Sequence, residues 1–202
     1  MKKILLHKTD IIYARKRLIK MHYEAKVGHI GGNLSILDSM LIVFNEFTQN
    51  NETVILSKGH AAGALYICLW STGIISENKL KTFHGEKTSL PGHPPVSKID
   101  KILFATGSLG HGLSLSAGIA LALKFKKINK KVYCFMSDGE WQEGSTWEAL
   151  IFLCHHKLNN LKVLIDHNNL QGFGSTEEVA SMSPLWKKLS GFDIISDIID
   201  GH

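Results

Sequence analysis

Two polar residues at the ends of apolar runs carry the chemistry most open to a physical reading: Asp138, after Lys131–Ser137 (KVYCFMS), and Asn168, just past Leu161–Asp166 (LKVLID). Both runs read as buried strands. If the strands are neighbours, the two side chains converge on one point beyond their carboxyl ends, where open α/β sheets bind ligands. A carboxylate with an amide oxygen is hard-oxygen ligation, suited to magnesium or calcium and poorly to zinc or copper. Magnesium takes few protein oxygens and completes its octahedron with phosphate and water. A diphosphate would therefore fit such a pair. The Gly-rich entry Gly107-Ser108-Leu109-Gly110 could offer backbone N–H groups to that anion. The plainer alternative stays open here: Asp and Asn after strands are common turn residues and helix caps.

Histidine forms the second group. His29, His60 and His93 each sit in a glycine-flanked loop, VGHIGG, SKGHAAG and PGHPP. Imidazoles in such settings stand where backbone approaches a ligand closely. No HExxH or Cys/His spacing argues for zinc, so substrate contacts or proton transfer are the better reading. The third group is Asp138-Gly139-Glu140-Trp141-Gln142-Glu143-Gly144 with Trp147-Glu148 after it. Its acids also suit an ordinary helix N-terminus, and its tryptophans suit an interface.

The elements that must position these groups follow from periodicity. Asp10–Val27 and Leu34–Phe47 read as amphipathic helices, Thr53–Ser57 as a short strand, and Lys58-Gly59-His60 as the turn into a helix reaching Thr72. Thr82–Ser108 reads as a long loop, a common seat of function. Gly110–Lys127 reads as a helix, and Ser145–His156 as another between the two buried strands. That strand–helix–strand order implies a parallel sheet flanked by helices, an α/β fold. His167–Glu178 reads as a polar loop, and Phe192–Ile199 as one further strand.

The chain has 202 residues, 44% hydrophobic and 20% charged, which suits one domain over residues 1–202 with a core of useful size. Net charge is +5, concentrated at Lys124, Lys126, Lys127, Lys130 and Lys131. These read as cations at a helix C-terminus rather than a nucleic-acid patch, since no nucleic-acid motif accompanies them. Cys68, Cys134 and Cys154 lie in apolar stretches and read as small buried hydrophobes in a reducing compartment. The apolar run in MKKILLHKTD is too short for a signal peptide, and no segment is long enough for a membrane span. A cytoplasmic location is the expectation.

Together these segments resemble the N-terminal, thiamine diphosphate-binding region of transketolase. The family motif is Gly-Asp-Gly, then roughly 25–30 residues, then an Asn-Asn-like end, a spacing that suits adjacent parallel strands. Here it reads Ser137-Asp138-Gly139 and Asn168-Asn169. KVGHIGGNLS, LSKGHAAGALY and LPGHP resemble the family's three histidine loops, and TGSLGHGLSLSAGIALALK its glycine-rich cofactor segment. SDGEWQEGSTWEAL and IDHNNLQGFG complete six blocks in the same order over nearly the whole chain.

The resemblance implies that Asp138, Asn168 and the carbonyl of Leu170 bind Mg²⁺. It implies that Gly139 and Glu140 lie against the diphosphate of thiamine diphosphate, and that Gly107, Leu109, Gly110 and His60 line the cofactor. His29, His60 and His93 would face the substrate channel, and Glu143 and Glu148 would join a carboxylate relay at a subunit interface. Two-carbon ketol transfer between sugars or sugar phosphates, within an oligomer and without nucleic acid or membrane, is the implied activity. Ser137 departs from the first glycine of the motif, a change from one small residue to another. The family's pyrimidine-binding domain, which supplies the glutamate that activates the cofactor, has no counterpart here. A separate C-terminal transketolase subunit is therefore expected to provide it. The ending IIDGH reads as a C-terminally truncated domain. A non-catalytic remnant or interaction module, or a subunit of a deoxyxylulose phosphate synthase-like enzyme or a decarboxylase, are the alternatives.

Overall fold

The computed structural model describes residues 6–48, 51–96 and 99–201. The first five residues of MKKILLHKTD, part of the long loop and the final histidine lie outside that set. Two helices lead, α1 (Lys8–Ala25) and α2 (Ile30–Ile42), the latter continued by a π-helical turn over Val43–Phe47. Strand β1 (Thr53–Leu56) follows, then a 3₁₀ turn (Gly59–Ala61) into α3 (Ala62–Ser71) and the short α4 (Glu77–Leu80). After the long loop come α5 (Gly112–Phe125), β2 (Val132–Ser137), a 3₁₀ turn (Gly139–Gln142), α6 (Gly144–His155) and β3 (Leu161–Asp166). A small hairpin, β4 (Leu170–Gln171) with β5 (Gly174–Ser175), and the short helices α7 (Thr176–Ala180) and α8 (Leu185–Leu189) complete the order.

β1, β2 and β3 form a parallel sheet in that order, with β2 in the centre. The twofold alternation of side chains along a strand explains the layers. Tyr133 and Phe135 of β2 enter the core built by α1, α2 and α3, while Val132, Cys134 and Met136 enter the core under α5 and α6. A central strand covered on both faces has no polar side to show, so KVYCFMS is buried throughout β2. Each fully buried Leu or Phe in these layers contributes about 1.5–3 kcal/mol.

The expected α/β fold is therefore present, with two corrections. Phe192–Ile199 is not a strand: β3 has no second neighbour among the described residues, and a strand without a partner leaves its backbone groups unpaired. Phe192 and Ile194 instead pack on the Trp141–Trp147 cluster, while Ile195, Ile198 and Ile199 are exposed. His167–Glu178 is not plain loop either, since it holds the β4–β5 hairpin and the start of α7, whose N-cap Ser175 and Glu178 form a capping box. Cys68 and Cys134 are buried, whereas Cys154 is only half-buried. Of the basic cluster, Lys124 reaches across to the carbonyls of His156 and Lys157, at 2.7 and 3.2 Å, where a cation offsets the negative end of α6. Among the described residues, no helix is long and apolar enough to cross a membrane.

Candidate functional site

The register of the sheet builds the site. Ser137 is level with Asp166 across the β2–β3 ladder, and the Asp138 N–H donates to the Asp166 carbonyl at 3.1 Å. Asp138 therefore leaves β2 beside the turn that leaves β3. Its carboxylate accepts from Gly139 N at 2.8 Å and from Asn169 N at 2.6 Å, so it closes on the Asn168–Asn169 turn. Asn169 makes this bend in the left-handed region, at φ 61°, which asparagine tolerates better than most residues. The Asn168 side chain is held from both ends, its oxygen accepting from Leu170 N at 2.9 Å and its NH₂ donating to Asp166 Oδ2 at 3.3 Å. Burial pushes the Asp138 carboxyl up from its usual range, and the two backbone N–H bonds partly oppose that.

This donor set fits a hard cation. The Asp138 carboxylate and the Asn168 amide oxygen stand at adjacent strand ends, and each oxygen retains a lone pair beyond its present hydrogen bond. Among the described residues, no group of three His, Cys, Asp or Glu side chains could hold a metal. Leu170 begins β4 opposite Ser175, within the same turn.

Glu140 is turned inward and is fully buried, at 0% exposure. One carboxylate oxygen accepts from the Ser57 hydroxyl and from Gly110 N at 3.0 Å, and the other from Ser137 N at 2.9 Å. The Ser57 hydroxyl also accepts from Gly112 N at 3.1 Å. The side chain thus ties the β1 exit, the start of α5 and the end of β2 together. The resemblance sets Glu140 against the diphosphate; the geometry gives its carboxylate the role of a brace behind that site. Glu143 and Glu148 are exposed at the start of α6.

The three expected histidines meet. The ring centroid of His29 lies 5.8 Å from that of His60 and 6.1 Å from that of His93. His29 caps α2 in the left-handed region at φ 62°, His60 rides the 3₁₀ turn before α3, and His93 comes from the long loop. Burial, then the Lys58 charge and the other two imidazoles, lowers the pKa of His60 to about 4, and burial lowers that of His93. His60 is therefore a neutral ring near pH 7, able to donate with one nitrogen and accept with the other. Glycine makes the convergence possible: a Cβ on Gly59 would stand 2.6 Å from the backbone of Thr106 and Gly107. Gly107 thereby joins the histidine turn, while Gly110, at φ 79°, packs against Glu143 and Ser145; Leu109 is half-buried between them.

Two residues that sequence reasoning missed hold this arrangement. Asn33 is buried in the first turn of α2, donating to the carbonyls of His29 at 2.8 Å and His60 at 3.0 Å and accepting from Ala64 N at 2.7 Å. It locks two histidine loops to each other, and the only hint in the sequence is a lone amide after Gly31-Gly32. Lys58 forms a buried ion pair with Asp166 at 2.5 Å, and Ser35 donates to the other Asp166 oxygen at 2.6 Å. This pair links the second histidine turn to the β3 exit, and no local pattern signals it.

Comparison with known proteins shows the family. Residues 8–201 match the family described as transketolase, thiamine diphosphate binding domain. The chain is 38% identical over 187 residues to an apulose-4-phosphate transketolase subunit of Phocaeicola vulgatus, covering 88% of this chain and 66% of that one. It is 33% identical to a 6-deoxy-6-sulfo-D-fructose transketolase subunit of a Clostridium species, covering 98% of this chain and 74% of that one. Among solved structures, the transketolase of Campylobacter jejuni superposes with a TM-score of 0.75 at 26% identity, over 92% of this chain and 32% of its own. A Pichia stipitis transketolase variant gives 0.75 at 25% identity, over 91% and 30%. On sequence, fold and the meeting of Asp138 with the Asn168–Asn169 turn, the chain belongs to the transketolase family, as its thiamine diphosphate-binding domain.

Proposed function

We propose that this chain holds the diphosphate of thiamine diphosphate and a Mg²⁺ ion, and that with a separate chain carrying the pyrimidine-binding domain it transfers two-carbon ketol units between sugars or sugar phosphates in cytoplasmic carbohydrate metabolism. The observation that carries the reading is the Asp138 carboxylate closing on Asn169 N at 2.6 Å, beside Asn168. Asp138, Asn168 and the Leu170 carbonyl are the proposed cation ligands, with Gly139 and Glu140 at the turn and Gly107, Leu109 and Gly110 along the cofactor. Relatives named as transketolase subunits support a separate partner chain.

When bound, thiamine diphosphate supplies the electron sink that makes a ketol unit transferable. This chain's residues orient the reactants and handle protons. His29, His60 and His93 present imidazoles to substrate hydroxyls, and the His60 ring, neutral down to about pH 4, keeps one nitrogen as a hydrogen-bond donor and the other as an acceptor at neutral pH. Glu143 and Glu148 stand at the edge of α6, and the exposed Ile151 and Phe152 continue the Glu148 face of that helix. That face suits contact with another subunit, through which a carboxylate relay would run.

The test has two arms. Calorimetric titration of Mg²⁺ and thiamine diphosphate into the chain reads binding, and mixing with a partner chain bearing the pyrimidine-binding domain reads ketol transfer from a ketose phosphate to an aldose phosphate. Binding that is lost in Asp138→Ala, together with transfer in the mixture, is the expected result. Binding without transfer would leave a non-catalytic interaction module. Formation of deoxyxylulose phosphate, or decarboxylation without transfer, would assign the chain to another thiamine diphosphate enzyme. Absence of binding in both arms would refute the cofactor reading.

A further inference from the structure

The Asn33 carboxamide stands where a helical hydrogen bond would otherwise form. Its NH₂ donates to the carbonyl of His60 at 3.0 Å and its oxygen accepts from Ala64 N at 2.7 Å. Residues 60 and 64 have the separation at which a carbonyl and an N–H pair inside an α-helix. With the side chain between them, α3 begins only at Ala62, and His60 stays on the tighter 3₁₀ turn of Gly59–Ala61. Ala61, at the N-cap of α3, makes no side-chain cap, so Asn33 satisfies an N-terminal N–H of α3 from another helix. The bare backbone of Gly63 makes room for this: a Cβ there would stand 2.9 Å from Asn33 Oδ1 and 2.4 Å from His22 Cε1.

The same NH₂ also donates to the carbonyl of His29 at 2.8 Å. His29 lies at φ 62°, a left-handed backbone that a residue other than glycine keeps only where its surroundings hold it. The three partners set the direction of the amide, since reversed it would turn its oxygen on two carbonyls and its N–H groups on an N–H. Both N–H groups are used inside the protein and the residue is 1% exposed, so Asn33 acts through the two histidines and not on a substrate. One side chain thus holds both backbones from which the His29 and His60 rings project, with centroids 5.8 Å apart. We infer that Asn33 is a positioning residue for the proposed reaction: standing between the His60 carbonyl and Ala64 N while holding the His29 carbonyl, it keeps the His60 turn out of α3 and sets how the two imidazoles face a substrate hydroxyl. This rests on the reading of the histidines as substrate-facing groups proposed above.

Two readouts separate position from activity. Proton NMR of the full chain alone reads the rings: wild type should show cross-relaxation between the His29 and His60 ring protons and a His60 titration midpoint near 4. Asn33→Ala frees the His60 carbonyl to pair with Ala64 N, so α3 should lengthen toward His60. The ring contact should then be lost, and the midpoint should rise above about 5, toward the 6.5 of a free imidazole, as the ring leaves its burial and the fields of Lys58, His29, His93 and Asp166. Asn33→Ser can still bond the carbonyl four residues back but cannot span the 60–64 pair; it should give the same changes and guards against loss of the fold in the alanine variant. Ketol transfer in the mixture with the partner chain should fall about tenfold or more in kcat, since misplacement by an ångström can cost about a hundredfold. A merely structural side chain would lower the unfolding midpoint and leave the ring contact and titration of the folded protein as in wild type. Rings that keep their contact and midpoint in both variants would overturn the Asn33 assignment, and so would moved rings with wild-type transfer. Loss of the fold in both variants would overturn it as well, by making Asn33 a part of the core alone. If the wild-type mixture transfers nothing, the reading of the histidines fails and this inference with it.

Discussion

Replacing Lys58 by methionine isolates the interaction that joins the histidine turn to the turn proposed to hold the cation. Lys58 Nζ is 2.5 Å from Asp166 Oδ2, with side-chain exposures of 1% and 7%. Removing one member of a buried ion pair leaves an uncompensated charge, at a cost of about 3–5 kcal/mol. Asp166 would keep two neutral donors, Ser35 and Asn168, which brings the expected cost to the lower end, about 3 kcal/mol. With an m-value of about 2 kcal/mol/M, urea unfolding should shift its midpoint down by roughly 1.5 M. The double variant Lys58→Met/Asp166→Asn removes both charges and keeps an oxygen for Ser35, so it should lie within about 1 kcal/mol of wild type. The double-mutant cycle then reports the coupling directly. If Lys58→Met costs less than about 1 kcal/mol, or if the double variant costs the sum of the singles, the pair does not brace the fold as argued. Cation affinity offers a second readout, because Asp166 Oδ2 also receives the Asn168 NH₂ and should steady that proposed ligand less well without Lys58.

Two further outcomes follow from the same geometry. Gly59→Ala drives a Cβ to 2.6 Å from the Thr106 and Gly107 backbone, an overpacking cost of about 1–3 kcal/mol, whereas Gly118→Ala in α5 meets nothing within 4 Å. Thermal unfolding should fall by roughly 4–8 °C in the first and hold or rise in the second; equal midpoints would mean that the backbones do not touch. For His60, the folded pKa of about 4 lies below the 6.5 of a free histidine, so the unfolded chain binds the proton first as pH falls. Stability is then highest above about pH 6.5 and declines toward pH 4, by on the order of 1–2 kcal/mol once solvent screening of this part-exposed ring is allowed for. Proton NMR of the ring should titrate with a midpoint near 4, and a midpoint above 6 would contradict its burial.

The legible parts of this protein were those whose signal is local. Alternation between β2, α6 and β3 is written in runs of apolar residues, so the parallel ladder and the convergence of Asp138 with the Asn168–Asn169 turn could be reasoned from spacing. The histidine loops were visible because glycine flanks each ring. Residues joined across the fold left no such trace: Lys58 and Asp166 are 108 positions apart, and Ser57 and Glu140 are 83 apart. A lysine beside a glycine turn reads as solvated until the partner strand is known. The helical start at Ile30, ahead of the expected Leu34, was hidden by Gly31-Gly32, whose poor helix propensity is overridden by the anchoring of Asn33. β4 and β5 have two residues each, too short for any periodicity. At Phe192–Ile199 the opposite error arose, since β-branched residues suggested a strand while Ile195 is 98% exposed and has no strand beside it.

The distribution of charge around the strand exits bears on how the proposed ligands would assemble. Three carboxylates, Asp138, Asp166 and Glu140, gather there with one ammonium, Lys58, which is committed to Asp166. Two unit charges 5 Å apart interact by about 3 kcal/mol at an effective dielectric of 20, equivalent to roughly a hundredfold in affinity. A diphosphate approaching Asp138 without a cation meets that penalty, with only neutral N–H donors to offset it. A divalent ion between them reverses the sign of the interaction on both sides. Cation and diphosphate affinities should therefore be strongly coupled and reciprocal, each raising the other by the same factor. Titrating pyrophosphate with and without Mg²⁺ measures that factor; equal affinities would mean that Asp138 and the anion do not share an ion.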